Sequence, residues 1–359
     1  MNRTSTPHNS AAIAASLAHK WVQWLLYIFL AMAVLAAVAH LTLRHQRISA
    51  TETQHICLPT GTTYPQLLDS LEANGCLQNR TVFKRLAKLR GLDGHVRPGC
   101  YKLEPGMGVV RVIHKLYSGS QDPVRVTINK HRTTQSLCDF LDKKLELCAD
   151  SMLVRLNDPA TAETYGYTVE SFIGMFIQNT YEVYWTISPD ELLERMKKES
   201  DRFWNSLRRG KLKDVGLTAN EVLTLASIVE EETNQNDEKP LIASVYLNRL
   251  HKGMALQADP TVKFSVGDFA IRRVSGSMMD CDSPYNTYHH AGLPPGPICI
   301  PSVASIDAVL SGVKSDYLYF CAKEDFSGHH NFARTLDEHK ANARRFHQAL
   351  NKRGIGKNL

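Results

Sequence analysis

"TANEVLTLASIVEEETNQ", Thr218 to Gln235, decides how the last third of the chain folds. Thr218 stands three residues ahead of Glu221 and just before an apolar run. That spacing is a capping box, in which hydroxyl and carboxylate each satisfy the other residue's backbone N–H at a helix start. The helix it opens runs straight into three consecutive glutamates. Residues three, four and seven apart share a helical face, and this sorts the carboxylates. Glu232 follows Val229, Ile228 and Leu225, so it continues the apolar stripe. Glu231 follows Ile228, Ser227 and Thr224, and Glu230 follows Ser227, Ala226 and Leu223; both sit on mixed flanks. A carboxyl aimed at apolar walls is pushed up in pKa and keeps its proton near neutral pH, as a general acid must. Glu230 and Glu231 would add a like-charge effect in the same direction. On pattern alone the competing reading is a solvated helix end with all three side chains in water, although acids there oppose the helix dipole.

Beyond the glutamates, Pro240 suits the first turn of a second helix, closed at His251-Lys252-Gly253 with the Gly as a left-handed cap. Three later stretches carry site-like residues. "LQADPTVKF" (Leu256 to Phe264) sets Gln257 and Asp259 before a Pro-initiated turn. "SPYNTYHHAGLPPGPICIPS" (Ser283 to Ser302) is a Pro/Gly loop with Asn286 between Tyr285 and Tyr288. "YLYFCAKEDFSGHHNF" (Tyr317 to Phe332) reads as a strand and a polar loop leading to His330. Aromatic faces interleaved with Asn, Gln and Asp suit sugar rings, whose apolar faces stack while amides bind the hydroxyls. The alternatives are plain: period-two "YLYF" is the pattern of a packed strand, and the Pro-rich loop of rigid packing. His289-His290 and His329-His330 do not suggest a metal, because adjacent side chains diverge, and the eight cysteines contain no C-x-x-C.

Upstream the elements are shorter. "ICL" (Ile56 to Leu58) reads as a strand, followed by helices from Thr63-Tyr64-Pro65 to Asn74-Gly75 and from about Thr81 to Leu89. "CYKL" after Pro98-Gly99 and a helix from Val109 to Tyr117 complete an α+β module of about 70 residues, a plausible small-domain size. Leu67, Asp69 and Leu71 return as Leu137, Asp139 and Leu141 behind a second strand, "VRVTI" (Val124 to Ile128), a faint repeat at best. A charged helix is expected from Pro189 to about Leu207, with "RRGKLKD" as a linker.

Charge is placed unevenly. No Asp or Glu occurs before Glu52; of the 42 basic residues four (Arg3, Lys20, Arg44, Arg47) precede it, leaving 38 against 36 acidic ones. So neutral a body argues against nucleic acid as a partner. Those early charges flank "WVQWLLYIFLAMAVLAAVAHLTL", Trp21 to Leu43, 23 residues without a formal charge. That is enough to cross a bilayer, with Trp21, Trp24 and Tyr27 at one interface. Ala37-Val38-Ala39 offers a signal-peptidase site, but the span is long for a signal segment, so a membrane anchor is the expectation. The flanking charges balance and do not orient it. The cysteines (57, 76, 100, 138, 148, 281, 299, 321) read mostly as buried free thiols.

In order along the chain, "LASIVEEET", "LQADPTV", "PYNTY", "GLPPGPI", "YLYF" and "GHHNF" resemble the motifs of the YceG-like (MltG-like) endolytic murein transglycosylases. "PTGTTYPQLLDSLEANG" and "VRPGCYKLEPGM" are similar to that family's LysM-like module. The resemblance implies an α+β protein: a cytoplasmic segment 1–20, a transmembrane helix 21–43, a LysM-like module 50–123, a connecting region 124–215 and a catalytic domain 216–350. It implies a single-pass protein of the cytoplasmic (inner) membrane whose body lies on the outer, periplasmic face. It implies lytic cleavage between N-acetylmuramic acid and N-acetylglucosamine in nascent peptidoglycan, leaving 1,6-anhydro ends and terminating strand elongation. No metal or organic cofactor is implied. The glutamate directly before the Thr of "E-x-E-T" maps onto Glu232, the residue that helical phase also selects. Thr233, whose hydroxyl could orient that carboxylate, Gln257, Asp259, Tyr285, Asn286, Tyr288 and His330 are the expected substrate contacts. The chain departs from the family pattern "LFPDTY" at "MFIQNTY", where Gln178 and Asn179 replace Pro and Asp, so no acid–base role falls there. Two alternatives stay open: a non-catalytic peptidoglycan-binding scaffold recruiting peptidoglycan synthases, and a muramidase (hydrolase) using Asp259 as second carboxylate.

Overall fold

The computed structural model describes residues 8–354 apart from 78, 272, 273 and 275; of the expected 1–20 segment, residues 1–7, with Arg3, lie outside the described residues. The chain divides into two compact units, Met1–Asp122 and Pro123–Leu359. Helices predominate in both, and the strands pair two by two, so the expected mixture of helix and strand holds.

The first unit opens with α1 (His8–His45). Its stretch His19–Val38 is strongly apolar after Lys20 and none of it is buried in the protein. Twenty residues at 1.5 Å rise cover about 30 Å, a bilayer's hydrocarbon thickness. Next come β1 (Gln54–Leu58), α2 (Tyr64–Ala73), α3 (Arg80–Leu89), β2 (Gly99–Leu103) and α4 (Val109–Ser118). β1 and β2 are antiparallel, with Cys57 opposite Cys100, and these two cysteines form a disulfide. That pair is the exception to the reading of mostly free thiols; of the other six, all free, Cys76, Cys138 and Cys299 are buried as expected, whereas Cys148, Cys281 and Cys321 are not. The helices seal this ribbon through Leu67, Leu71, Phe83, Ile113 and Leu116, all essentially inaccessible. Thr63 and Gln66 form the box that starts α2, and Asn79 caps α3 by accepting from the Thr81 and Val82 N–H groups.

The second unit begins with β3 (Val124–Ile128), α5 (Thr134–Asp142), α6 (Ala149–Leu156), α7 (Pro159–Thr164), α8 (Val169–Phe172) and β4 (Asn179–Val183). β3 and β4 are antiparallel, Val124 opposite Val183. Leu137 and Leu141 are as completely buried on α5 as Leu67 and Leu71 are on α2, so each segment is a strand, a helix packed by the same two positions, and a returning strand. Then follow α9 (Pro189–Phe203) and α10 (Ser206–Val215). The single expected helix is thus broken at Trp204-Asn205, and the supposed linker is helical. Asn205 restarts the backbone as an N-cap, accepting from the Arg208 N–H, and Arg208 is clamped by Asp307.

α11 (Ala219–Glu232) starts at the Thr218–Glu221 box and is buried from Val222 to Val229. It packs against α12 (Lys239–His251), α13 (Asp259–Val266) and α14 (Val303–Leu310). The stretch read as a Pro-initiated turn is therefore the first turn of a helix, with Pro260 in the position that needs no N–H. β5 (Tyr319–Ala322) and β6 (His330–Ala333) form an antiparallel hairpin backed by α15 (Leu336–Lys352). The Pro/Gly loop has no regular structure, but it is pinned. A Cβ at Gly296 would overlap the Glu170 carbonyl oxygen, so only glycine fits there. Ile298 N–H donates to Ser227 Oγ at 2.9 Å, and the Gln178 amide donates to the Ile300 carbonyl at 2.7 Å. The glutamine that departs from the family pattern thus ties this loop down.

Candidate active site

α11 ends in three glutamates that the helix aims about 100° apart, and each meets a different environment. Glu230 accepts hydrogen bonds from Ser302 Oγ and Ser305 Oγ, both at 2.5 Å, at the start of α14. It also pairs with the buried Lys239 ammonium at 3.0 Å. Burial pushes its pKa up, but the Ser302, Ser305 and Lys239 hydrogen bonds and the Lys239 charge outweigh that, and the carboxyl ends below the ordinary value. Glu231 turns to the segment after β3, where it pairs with Arg132 at 2.8 Å and Lys130 at 3.1 Å. Burial again raises and the two cations more than offset, leaving it anionic. None of the three points freely into water.

Among the described residues no cation forms an ion pair with the Glu232 carboxylate, and Lys263 acts on it only through its charge. Glu232 is part-buried and lines a cavity of about 420 Å³. Burial raises its pKa from 4.5 to about 7; the charges of Asp259 and Glu231 add to the rise, and Tyr246 and Lys263 oppose it. The Tyr246 hydroxyl on α12 donates to Glu232 Oε1 at 2.6 Å. Burial, then the adjacent Glu232, push the Tyr246 phenol well above its ordinary value, so it stays a donor. With Oε1 engaged, Oε2 is the oxygen that can carry an exchangeable proton into the cavity.

The structure brings Gln257, Asp259, Tyr288 and His330 to the wall of the same cavity. Tyr288 Oη donates to Asp259 Oδ1 at 2.6 Å. Gln257 is held in the left-handed region, φ +52°, and its Oε1 accepts from Arg249 Nη1 at 3.3 Å. His330 is clasped by Glu238, which accepts from its backbone N–H at 2.8 Å and meets its Nδ1 at 3.0 Å. Thr233 is buried and lines a neighbouring cavity instead; its hydroxyl accepts from the Gln235 N–H at 3.0 Å, and it is Tyr246 that holds Glu232.

Tyr285 and Asn286 are not brought to the cavity. Tyr285 packs its ring 4.7 Å from Phe264. Asn286 is fully buried; its amide donates to the Met279 and Cys281 carbonyls and its oxygen accepts from the Tyr288 N–H. It shapes the loop that delivers Tyr288. Both shortly precede Tyr288 in sequence, and sequence alone does not reveal which of the three faces in.

Tyr246, Arg249 and His339 also line the cavity and were not singled out from the sequence. Arg249 is buried, with its guanidinium donating to the carbonyls of Leu318, Ala255 and Leu256 and lying 5.1 Å from the Tyr319 ring centre. The available signal was "SVYLNRL" (Ser244 to Leu250), polar residues in a helix without an apolar stripe of its own, which the fold nonetheless buries from Ile242 to Leu247. The "YLYF" strand, expected as packing, gives Leu318, Tyr319 and Phe320 to the cavity wall. A second cavity of about 360 Å³ adjoins the first and shares Glu232 and His330 with it.

The comparisons with known proteins agree. The family model described as YceG-like family matches residues 56–345. An endolytic murein transglycosylase of Bacillus subtilis is 30% identical over 305 residues, covering 80% of this chain and 83% of that protein. One from Streptococcus pneumoniae is 27% identical over 315 residues, covering 79% of this chain; the chain spans 57% of its length. The crystal structure of a yceG-like protein from Listeria monocytogenes superposes with a TM-score of 0.55 at 29% identity, covering 81% of this chain and 98% of that one. The motifs running from the glutamate-ended helix to the β5–β6 hairpin, the fold that gathers them around one cavity and these relatives all say the same thing: the chain belongs to the YceG-like family.

Proposed function

We propose that this protein is a membrane-anchored endolytic lytic transglycosylase that cuts peptidoglycan glycan strands with Glu232 as its acid and base. The observation that carries the reading is a single carboxyl with its pKa raised to about 7, held by Tyr246 at the wall of a polar, aromatic cavity. A carboxyl so placed donates and recovers a proton near neutral pH. Protonated Glu232 gives its proton to the glycosidic oxygen as the bond from C1 of N-acetylmuramic acid breaks. The C6 hydroxyl oxygen of the same sugar then attacks C1 and its proton passes to Glu232. The enzyme regains its starting state, no water is consumed and the strand ends in a 1,6-anhydro sugar. Asp259, fixed by Tyr288, and Gln257, fixed by Arg249, are assigned to holding the sugar ring.

In this reading residues 50–123 form a LysM-like glycan-binding module, 124–215 a connecting region and 216–350 the catalytic domain. The helix within α1 anchors the chain in the cytoplasmic membrane, with the body on the outer face. The Cys57–Cys100 disulfide supports that side, because such bonds persist in oxidising compartments. Cleavage of nascent strands there would end their elongation beside the peptidoglycan synthases.

The test uses the full-length chain in detergent, its Glu232→Gln variant and its Asp259→Asn variant on uncrosslinked glycan strands, with mass spectrometry of the ends. Anhydro ends from the wild type, absent with Glu232→Gln and fewer but unchanged in kind with Asp259→Asn, are expected. Reducing ends that depend on Asp259 would replace this reading with a two-carboxylate hydrolase. Binding without cleavage by any of the three would leave a scaffold.

A further inference from the structure

The two faces of α3 differ in kind. Phe83, Leu86 and Ala87 are buried against the core of the first unit. Lys84, Arg85, Lys88 and Leu89, three and four positions apart, share the opposite, exposed face, and Arg90 follows at the helix end. Residues 80–90 hold five cations and no acid. Arg80 pairs with Asp69 and Glu72; among the described residues no acid pairs with the other four cations. Contact with water alone does not select such a face. α9 also exposes cations, but they meet acids four residues on, Arg195 with Glu199 and Lys197 with Asp201. Lys84 and Lys88, at the same spacing, repel each other and weaken the helix. Nor does solubility account for Leu89. Flanked by Lys88 and Arg90, it is 80% exposed, more than any other large apolar side chain among the described residues. Tyr117 on α4, also exposed, lies beside the turn that follows α3, where a Cβ at Gly91 would meet its ring at 3.8 Å.

We propose that the outer face of α3 docks on the anionic phospholipid headgroups of the membrane that α1 enters. Cations set around one exposed leucine fit a lipid surface. The ammonium and guanidinium groups meet the phosphates, their stems and Leu89 reach the acyl boundary, and Tyr117 suits the headgroup level. The chain itself keeps this face near the bilayer. α1 runs on from Val38, where its apolar window ends, to His45, about 10 Å of helix. The residues after it are bonded straight into the module: the Val109 N–H donates to the Gln46 carbonyl and the Ile48 N–H to the Met107 carbonyl, both at 3.0 Å. Those bonds fix the start of α4, and α3 packs on α4. A small module on so short a stalk cannot leave the membrane surface, and each Lys or Arg beside anionic lipid favours docking about fivefold. Docking gives the first unit a second attachment and limits how far it lifts from the bilayer. The inference rests on the reading of α1 as a membrane anchor.

The experiment places the full-length chain in lipid nanodiscs, either of phosphatidylcholine alone or of phosphatidylcholine and phosphatidylglycerol in equal parts. Backbone hydrogen exchange is then followed by mass spectrometry. In the anionic discs the α3 amides are expected to exchange about tenfold more slowly than in the neutral ones, while α9 exchanges alike in both. Lys84→Gln, Arg85→Gln and Lys88→Gln together should return α3 to its neutral-disc rate. These side chains are exposed, so the fold should persist, and unchanged exchange of β1 and β2 checks that it does. Leu89→Ser, with every charge in place, is expected to recover part of the difference. Equal α3 exchange in the two lipids, or slowing that the triple variant keeps, overturns the docking. Slowing that requires added poly-glutamate rather than anionic lipid gives the face to an acidic protein partner and overturns it as well. The anchor is read separately, by a high-salt wash. A chain stripped from both kinds of disc has no membrane span, and the docking falls with it; a retained chain whose α3 is not slowed keeps the anchor and loses only the docking.

Discussion

Replacing Glu232 by Gln is expected to destroy activity and to stabilise the protein, with the gain growing with pH. In the folded chain its carboxyl titrates at about 7, raised from 4.5 first by burial and then by Asp259 and Glu231. In the unfolded chain it returns to its ordinary value. Between those two pH values the native state therefore holds more protons than the unfolded state, and stability falls as pH rises through the window. Above about 7 the whole penalty is present. A change from 4.5 to about 7 corresponds to about 3 kcal/mol, at 1.36 kcal/mol per tenfold change in proton affinity. An amide at this position carries no such penalty and still accepts the Tyr246 hydrogen bond. The variant should match wild type at a pH near the ordinary carboxyl value and exceed it by up to about 3 kcal/mol at pH ~8, a Tm gain of roughly 6–12 °C for a unit of this size. Near-ultraviolet circular dichroism of thermal unfolding, on the full-length chain in detergent across that range, reads it directly. A Tm difference that does not change with pH refutes the claim that the fold holds this carboxyl against its ordinary titration.

Tyr246→Phe keeps the ring's edge-on packing against Phe320, 5.8 Å between centres, and removes only the donated hydrogen bond. That bond favours the carboxylate, so its loss raises the Glu232 pKa, and the alkaline limb of the pH–rate profile should move upward by about tenfold in proton concentration, for a differential of about 1.4 kcal/mol. A limb that stays or moves down would show that Tyr246 does not tune the acid. Lys239→Met leaves the Glu230 carboxylate without its cation, and urea unfolding should report a loss of about 3 kcal/mol, as for other broken buried pairs; a loss below about 1 kcal/mol would place the pair among surface bridges. Converting Cys57 and Cys100 together to Ser opens a loop of sequence separation 43 and should cost about 4 kcal/mol on the chain-entropy scale. A wild-type unfolding midpoint indifferent to reductant would contradict the bridge.

Much of the scaffold is legible because its signals are local. Capping boxes at Thr63, Ser188, Thr218 and Thr335, each with its acceptor three residues on, start α2, α9, α11 and α15. Left-handed glycines at Gly119, Gly216 and Gly267 close α4, α10 and α13. What stays hidden are long-range choices. Cys57 and Cys100 carry no sign of pairing in the sequence until the strand register sets them opposite each other. Asn205 looks like any linker residue until its side chain caps α10 while Arg208 finds Asp307, about a hundred positions away. Asn286 and Tyr288 are equally good candidates in sequence, and only the turn itself, built on the Asn286 amide, turns one inward and the other to the backbone.

The three glutamates show how far sequence reasoning carries. Helical phase identifies Glu232 because burial direction is a local property of a helix. It says nothing of Glu230 and Glu231, whose partners come from α12, α14 and the segment after β3. Those partners matter to the chemistry. A like charge adjacent to Glu232 raises its pKa, and three unpaired carboxylates in one turn would hold the acid's proton too tightly to release it to a glycosidic oxygen near neutral pH. Lys239, Lys130 and Arg132 neutralise two of the three, and the effect of Glu231 on Glu232 is the smallest of the contributions named above. Burial is then the main determinant, and it leaves the acid at about 7. The cluster therefore divides one helical turn into two fastenings and one acid. The fastenings fix α11 against its neighbours, and that rigidity keeps the third carboxyl facing the cavity.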